Sequence, residues 1–185
     1  MQVKSLYPMT DPLPEYWLRG PVEGIIPALQ PVVHALLQAR EEVVSRMEHF
    51  SSMLLWATPY HIASPGFHLK HLSGVLDRLF TYARGGELDA TQLAYLAEEK
   101  VKPAMHADTT SLLQNFSAQI EKAIAELRNY TEADLLAVRF VGRKKIASNV
   151  LGLLFHAAEH TTRHTGQLLV ISMFLEQGSK NQTGD

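Results

Sequence analysis

The chain has 185 residues, of which 46% are hydrophobic and 19% are charged, and this is the composition of one ordered globular domain with a sizeable core. A formal net charge of −2 argues against nucleic acid or an anionic membrane surface as a partner, and the absence of cysteine excludes disulfides and thiolate ligands. Residues 1–15 lack the charged start and apolar run of a signal peptide, and no apolar run approaches the roughly 20 residues of a membrane span, so we expect a cytoplasmic protein.

The first twenty residues contain three prolines and predict an irregular arm, docked on the body by Tyr16 and Trp17. From Pro31 onward, apolar residues recur at steps of three, four and seven, which is typical of a helix that faces a bundle core. This helix should end before Pro59. Its apolar stripe consists of Val33, Leu36, Val43, Met47, Phe50 and Leu54.

A second helix is predicted to begin at Ser64-Pro65, because serine caps free backbone N–H groups and proline suits the first helical turn. It carries His68 and His71 near its start and should stop at residues 84–86, Arg-Gly-Gly. Its apolar residues include Leu72, Val75 and Leu79.

Two further helices follow. Asp89 and Gln92 have the spacing of a capping box, which predicts a shorter helix that ends before Pro103. Asp108 or Thr109 then caps a third long helix. The apolar stripe of that helix consists of Leu113, Phe116, Ile120, Ala123 and Leu127.

Residues 131–147 are less regular, and the basic stretch from Val138 to Ile146 is predicted to be a loop or a short extended segment. Ser148 is the predicted cap of the last long helix, which should close near Gly178. Four long helices with short or moderate connections indicate an all-α four-helix bundle. We therefore expect an arm over 1–20, a bundle domain over 21–178 and a polar tail over 179–185.

The last helix carries His156, His160 and His164, each four residues apart. Residues at this spacing lie one turn apart on the same face, so two neighbouring imidazoles can bind one metal ion. Without cysteine, a transition-metal site must use imidazole, carboxylate and water. A catalytic site needs a third protein ligand, and His68 or His71 of the second helix is the best source.

Two stretches resemble the signatures of the DinB/YfiT-like superfamily. The first reads Gly-Phe-His-Leu-Lys-His-Leu over residues 66–72, followed by Leu-Asp-Arg over 76–78. The second reads His-Thr-Thr-Arg-His-Thr-Gly-Gln over residues 160–167. Their order and separation also match, and the resemblance covers roughly residues 20–177.

The resemblance implies an up-down-down-up four-helix bundle, often a homodimer, in which three histidines hold a divalent metal. At the positions of this chain that match the two signatures, the ligands are His71, His160 and His164. Zinc or nickel is the first expectation for the metal, with iron or manganese as alternatives. Thr165 stands where the family often has arginine, and we expect the metal site to survive this change because the position points away from the ligand pair.

Characterised members of this family are thiol-dependent transferases and isomerases. The resemblance therefore implies a metal-dependent enzyme that transfers a low-molecular-weight thiol to a small electrophile, with the metal lowering the pKa of the thiol. A metal-dependent hydrolase with the same site is a variant of this hypothesis. A dimeric stress-response binding module with a structural or vestigial metal, and a metal-free bundle, are the alternatives from other classes.

Several neighbours of the predicted ligands have open roles. His68 competes with His71 as a ligand or lines the pocket, and His156 is a bundle histidine or a hydrogen-bond partner. Gln167 orients His164, contacts substrate or is a buried amide. Asp77 forms an ion pair or fixes a ligand histidine through its second nitrogen.

The remaining polar residues have simpler interpretations. Glu159 is expected to be a solvated carboxylate, since no His-Glu-x-x-His motif occurs here. The basic stretch over 139–145 is a solvated face or attracts a thiol that carries a carboxylate. The other histidines are expected to be surface or packing residues: His34, His49, His61 and His106.

Overall fold

Five α-helices and one β-hairpin make up the computed structural model over its described residues, 13–101 and 108–183. The helices are α1 (Gln30–Met47), α2 (Pro65–Ala83), α3 (Ala90–Glu98), α4 (Thr109–Leu127) and α5 (Val150–Thr183). The hairpin pairs β1 (Val138–Val141) with β2 (Ile146–Asn149) in antiparallel register. The all-α class expected from the sequence is therefore confirmed.

The four long helices form a ring in which α5 packs on α1 and α2, and α4 packs on the same two helices from the other side. Arg46 of α1 donates hydrogen bonds to Ser172 and Glu176 near the end of α5, which fixes the contact at one end of the bundle. The apolar stripes meet inside this ring. The largest fully buried side chains are Phe80, Phe116, Leu29, Leu36, Met47, Leu55, Leu69, Leu72, Leu76, Ile120, Leu127 and Leu154.

Helix boundaries follow the capping residues in the sequence. Ser64 Oγ accepts a hydrogen bond from the Phe67 N–H at 3.2 Å, and this confirms the start of α2. Asp89 and Gln92 form the expected capping box of α3. Of the two candidates for α4, Asp108 is the cap, because its carboxylate accepts from the Ser111 N–H at 2.7 Å.

Helix α1 ends at Met47, before Pro59 as predicted, but Phe50 of its predicted stripe lies in the following turns, where it is still buried. The predicted start and end of α5 were both wrong. Ser148 belongs to β2, and Asn149 caps α5 instead, since its side-chain oxygen accepts from the Gly152 N–H at 2.7 Å. Helix α5 passes through Gly178 to Thr183, because this glycine does not adopt the positive φ that ends a helix.

The arm before α1 is docked by one of its two predicted aromatics. Tyr16 is partly buried and packs against the core, its backbone N–H donates to Gln38 of α1 at 3.0 Å, and Arg19 pairs with Glu41. Trp17 is 63% exposed, so its predicted docking role was wrong. Within the described residues, no helix combines the length and apolar character required to cross a membrane.

Candidate metal centre

Three histidines from two facing helices converge in the bundle. They are His71 of α2 and His160 and His164 of α5. Each has a ring nitrogen that lies within 4.8 Å of a ring nitrogen of the other two histidines. The Nε2 atoms of His71 and His160 are 2.9 Å apart. The ring of His164 is centred 4.4 Å from that of His71 and 4.6 Å from that of His160.

The convergence follows from the direction of the two helices. Position 71 of α2 faces position 160 of α5, and position 68 faces position 164. The two helices therefore run antiparallel through the cluster. Because side chains four apart on a helix share a face, His160 and His164 both reach the single turn of α2 that carries His71.

A buried carboxylate orients His71. Its Nδ1 lies 2.7 Å from Glu99 Oε2, and Glu99 is only 2% exposed. A carboxylate accepts hydrogen bonds, so Nδ1 carries the proton and Nε2 presents its lone pair to the cluster. Arg78 donates to the other carboxylate oxygen at 2.5 Å and holds Glu99 in place. This is the arrangement that orients metal-binding histidines in proteins.

Glu99 reaches this position because the end of α3 is tied to α2. Lys70 Nζ donates to the Glu98 carbonyl at 2.6 Å, and the Tyr95 hydroxyl donates to the Lys70 carbonyl at 3.0 Å. Gly74 permits the close approach, since a Cβ there would lie 2.7 Å from Arg78 and from Tyr95, and closer still to Glu99. The absence of a side chain at position 74 is therefore part of the site.

The cluster is electrostatically suited to neutral imidazoles. Burial, followed by the neighbouring His71 ring, lowers the pKa of His160 to about 4 and the pKa of His164 to about 3. Both rings are therefore uncharged at neutral pH, and their nitrogen lone pairs are free to bind a cation. His160 Nδ1 is buried without a hydrogen-bond partner among the described residues.

These side chains fit a divalent transition metal. Two nitrogens bound to one tetrahedral zinc at ordinary Zn–N distances lie about 3.4 Å apart, close to the observed His71–His160 separation of 2.9 Å. Three imidazoles without thiolate suit zinc, nickel, iron or copper. A second group also has ligand atoms within 4.8 Å of one another, and it consists of His156, Glu159 and His160. However, His156 and Glu159 lie on the outer side of α5, where they pair with each other at 3.3 Å.

His68 lies directly beside the cluster. It is 3% exposed, and its Nδ1 is 3.1 Å from His164 Nδ1. Burial, and then the His71 ring, lowers the pKa of His68 to about 4. Phe67 stacks on His71 and meets His68 and His164 edge-on, so an apolar ring covers this side of the cluster.

A groove of about 680 Å³ begins at His68 and follows α5 towards its C-terminal half. Its walls are mainly apolar and include Tyr60, Val170 and Phe174. Gln167 lines the groove and is exposed, so the reading of this residue as a buried amide was wrong. The groove gives a small molecule a path to the side of the histidine cluster.

The structure brings a different carboxylate to His71 than the sequence suggested. Asp77 accepts hydrogen bonds from Gln92 at 2.6 Å and Lys122 at 3.0 Å, so it forms the expected ion pair and does not fix a ligand histidine. Glu99 does so instead. Sequence reasoning missed it because it lies outside both signatures, and only the packing of α3 on α2 reveals its role.

Two other polar features lie away from the cluster. Thr165 is 1% exposed and lines a small cavity against α1. The basic stretch forms the hairpin, where Arg139 donates to the Ala83 carbonyl at 2.7 Å. Ala83 is twelve residues from His71 on α2, which is about 18 Å along a helix, so this stretch does not line the histidine site.

Of the remaining histidines, those that the structure describes lie away from the cluster. His34 bonds with the Gly20 carbonyl at 3.0 Å, and the side chain of His49 is 91% exposed. His61 lies in a 3-10 turn before α2. His106 falls outside the described residues.

The fold and the site together define a helical-bundle protein with a candidate metal centre between two facing helices. The sequence profile of the DinB superfamily matches residues 35–168, and the chain belongs to this superfamily. A conserved protein from Enterococcus faecalis has a similar fold, with a TM-score of 0.62 and 16% identity over 81% of this chain and 97% of that one. No curated protein matches the chain.

Proposed function

We propose that His71, His160 and His164 bind one divalent transition-metal ion, with zinc or nickel first and iron or manganese as alternatives. One observation carries the proposal: three imidazoles converge, and the buried Glu99 turns the lone pair of His71 towards the other two. The three rings converge in this way only if α2 and α5 pack in one particular register. Histidines buried independently of one another in the core would not have to meet this condition.

We further propose that the protein is an enzyme that joins a low-molecular-weight thiol to a small electrophile. A bound divalent ion favours the deprotonated form of a thiol at neutral pH. The thiol S–H bond loses its proton to solvent, a carbon–sulfur bond forms, and the bond to the leaving group breaks with the electron pair going to that group. The protein would be cytoplasmic, as the composition of its sequence suggests, and a homodimer, as the family resemblance implies.

The described residues have distinct roles in this scheme. Glu99 and Arg78 hold His71 in position, and the Phe67 ring excludes water from one side of the cluster. The apolar groove takes the body of the electrophile and leads it past His68. A hydrolase would use the same residues, with water in place of the thiol.

Two measurements test the proposal. Protein purified without an affinity tag should contain close to one equivalent of metal by elemental analysis. The metal-loaded protein should then consume glutathione, bacillithiol or mycothiol together with a small electrophile, and a His160→Ala variant should not. A metal-free protein, or equal thiol consumption by the variant, would contradict the proposal.

One observation favours a second candidate, a binding module with a structural metal. His68 is buried against His164 and could complete a set of four protein ligands. Structural sites are closed in this way, whereas catalytic sites keep one position open. Removal of the metal by a chelator separates the two, because the enzyme should keep its helical content and a structural site should not.

A further inference from the structure

A second cavity, of about 510 Å³, lies between α2, α3 and α4. It exists because α3 packs on α2 and buries none of its own side chains against α4. Its volume falls in the range of small-molecule sites in proteins. Unlike the groove at His68, it is lined by many polar side chains, among them Asp77, Arg78, Asn115, Gln119 and Lys122.

Among the described residues that line this cavity, Arg78 is the one charged side chain that is buried, with 8% of its surface exposed. Its hydrogen bond to Glu99 uses one of the five N–H donors of the guanidinium, and the side chain also faces the cavity. Asn115 and Gln119 lie one turn apart on α4, and neither amide has a hydrogen-bond partner among the described residues. Two neutral amides and a guanidinium therefore line the same space.

The charges around the cavity disfavour a ligand with more than one negative charge. Arg78 and Lys122 are offset by Glu99 and Asp77, which they contact directly. A doubly charged phosphate would face repulsion from both carboxylates, whereas a planar carboxylate matches the guanidinium fork with one charge. The amides and the Tyr95 ring suit the uncharged remainder of such a molecule.

We propose that this cavity is a binding site for a small monocarboxylate, held by Arg78 with Asn115 and Gln119. Because Arg78 also holds Glu99, which orients His71, the carboxylate site is linked to the histidine cluster. A carboxylate that draws the guanidinium away from Glu99 loosens this carboxylate and, with it, the His71 ring that it orients. Occupancy of the cavity then weakens metal binding by a few-fold, and metal weakens carboxylate binding by the same factor.

The binding site is tested on the full chain with benzoate as the probe, by two-dimensional NMR of the side-chain amides. Benzoate should shift the Asn115 and Gln119 signals in a saturable manner, and neutral benzamide or inorganic phosphate should bind at least tenfold more weakly. Absence of a saturable shift overturns the site. Equal binding of benzamide or phosphate overturns the assignment of a monocarboxylate.

A pair of variants on α4 supplies the control. Ala118 is exposed and lines the cavity, whereas Ala125, two turns further on, is exposed and does not line it. Ala118→Trp should weaken benzoate binding at least tenfold, and Ala125→Trp should leave it unchanged. Equal affinity in both variants would overturn the location.

The link to the metal rests on the proposed function and has its own readout. Metal affinity, measured by competition with a chelator, should fall a few-fold at saturating benzoate in the native sequence and stay constant in Ala118→Trp. An unchanged affinity overturns the link while the NMR result stands, and absence of metal binding overturns the proposed function alone.

Discussion

The carboxylate of Glu99 lies 2.7 Å from Nδ1 of His71, although 28 residues separate the two in the chain. This contact sets the proton on one nitrogen of the ring and directs the other nitrogen towards His160. The geometry of the histidine cluster therefore depends on the position of α3, a helix that contributes none of the three rings. Four predictions follow from this dependence and from the burial of the cluster.

Glu99→Gln should weaken metal binding by about 10- to 100-fold, because the amide keeps the shape of the side chain but loses the charge that fixes the His71 ring. Competition with a chelator measures the affinity. Glu98→Gln is the matched control, since Glu98 is exposed and contributes only its backbone carbonyl to Lys70. Thermal melts should accompany the measurement, because Arg78 loses its charged partner. Unchanged affinity in a folded Glu99→Gln protein would refute this role.

The double variant His160→Ala, His164→Ala should lose tight metal binding while its helical content stays close to that of the native protein. The bundle core is built from apolar stripes that do not include these rings. Elemental analysis and circular dichroism measure the two effects. His156→Ala should keep the metal, since half of that side chain is exposed on the outside of α5. Metal retained by the double variant would remove these two ligands from the site.

The metal-free protein should lose stability as the pH falls from about 6.5 to about 4. In the unfolded chain a histidine has a pKa of about 6.5, whereas burial lowers the pKa of His160 to about 4 and that of His164 to about 3. Between these values the unfolded state binds more protons, so acid favours unfolding.

Urea denaturation at a series of pH values measures this effect. Carboxylates also contribute below pH 5, so the informative quantity is the difference between the native protein and the double variant, which should have a shallower slope. His49→Gln should leave the slope unchanged, because the His49 side chain is 91% exposed. Equal slopes in the native protein and the double variant would show that the cluster is not titrating as described.

Gly74→Ala should destabilise the protein by about 1–3 kcal/mol, because the added Cβ would lie 2.7 Å from Arg78 and Tyr95 and force them apart. Metal affinity should fall as well, since Glu99 moves with them. Gly166→Ala on α5 is the control: nothing lies within 4 Å of its Cβ, and alanine should stabilise that helix by about 0.5–1 kcal/mol. Denaturant titration compares the two, and a neutral Gly74→Ala would contradict the close packing.

Local signals in the sequence predicted the helices well. Ser64-Pro65, the Asp89–Gln92 capping box and Asp108 each mark a helix start that depends only on neighbouring backbone groups. The predicted start of α5 is wrong by one residue, because Ser148 and Asn149 are both good caps and it is the Asn149 side chain that accepts from the Gly152 N–H. The sequence does not decide between a loop and a strand for the hairpin, since four-residue strands carry little periodicity.

The sequence by itself determined that the chain is a helical bundle and which histidines stand one turn apart, because helical periodicity and capping are local properties of the chain. It also supplied the two signatures that place the chain in its superfamily. Only the tertiary structure decided that Glu99, and not Asp77, orients His71, and that Gly74 makes room for it. The reason is physical: a hydrogen bond between α2 and the end of α3 depends on how two helices pack, and that packing is set by contacts distant in the chain.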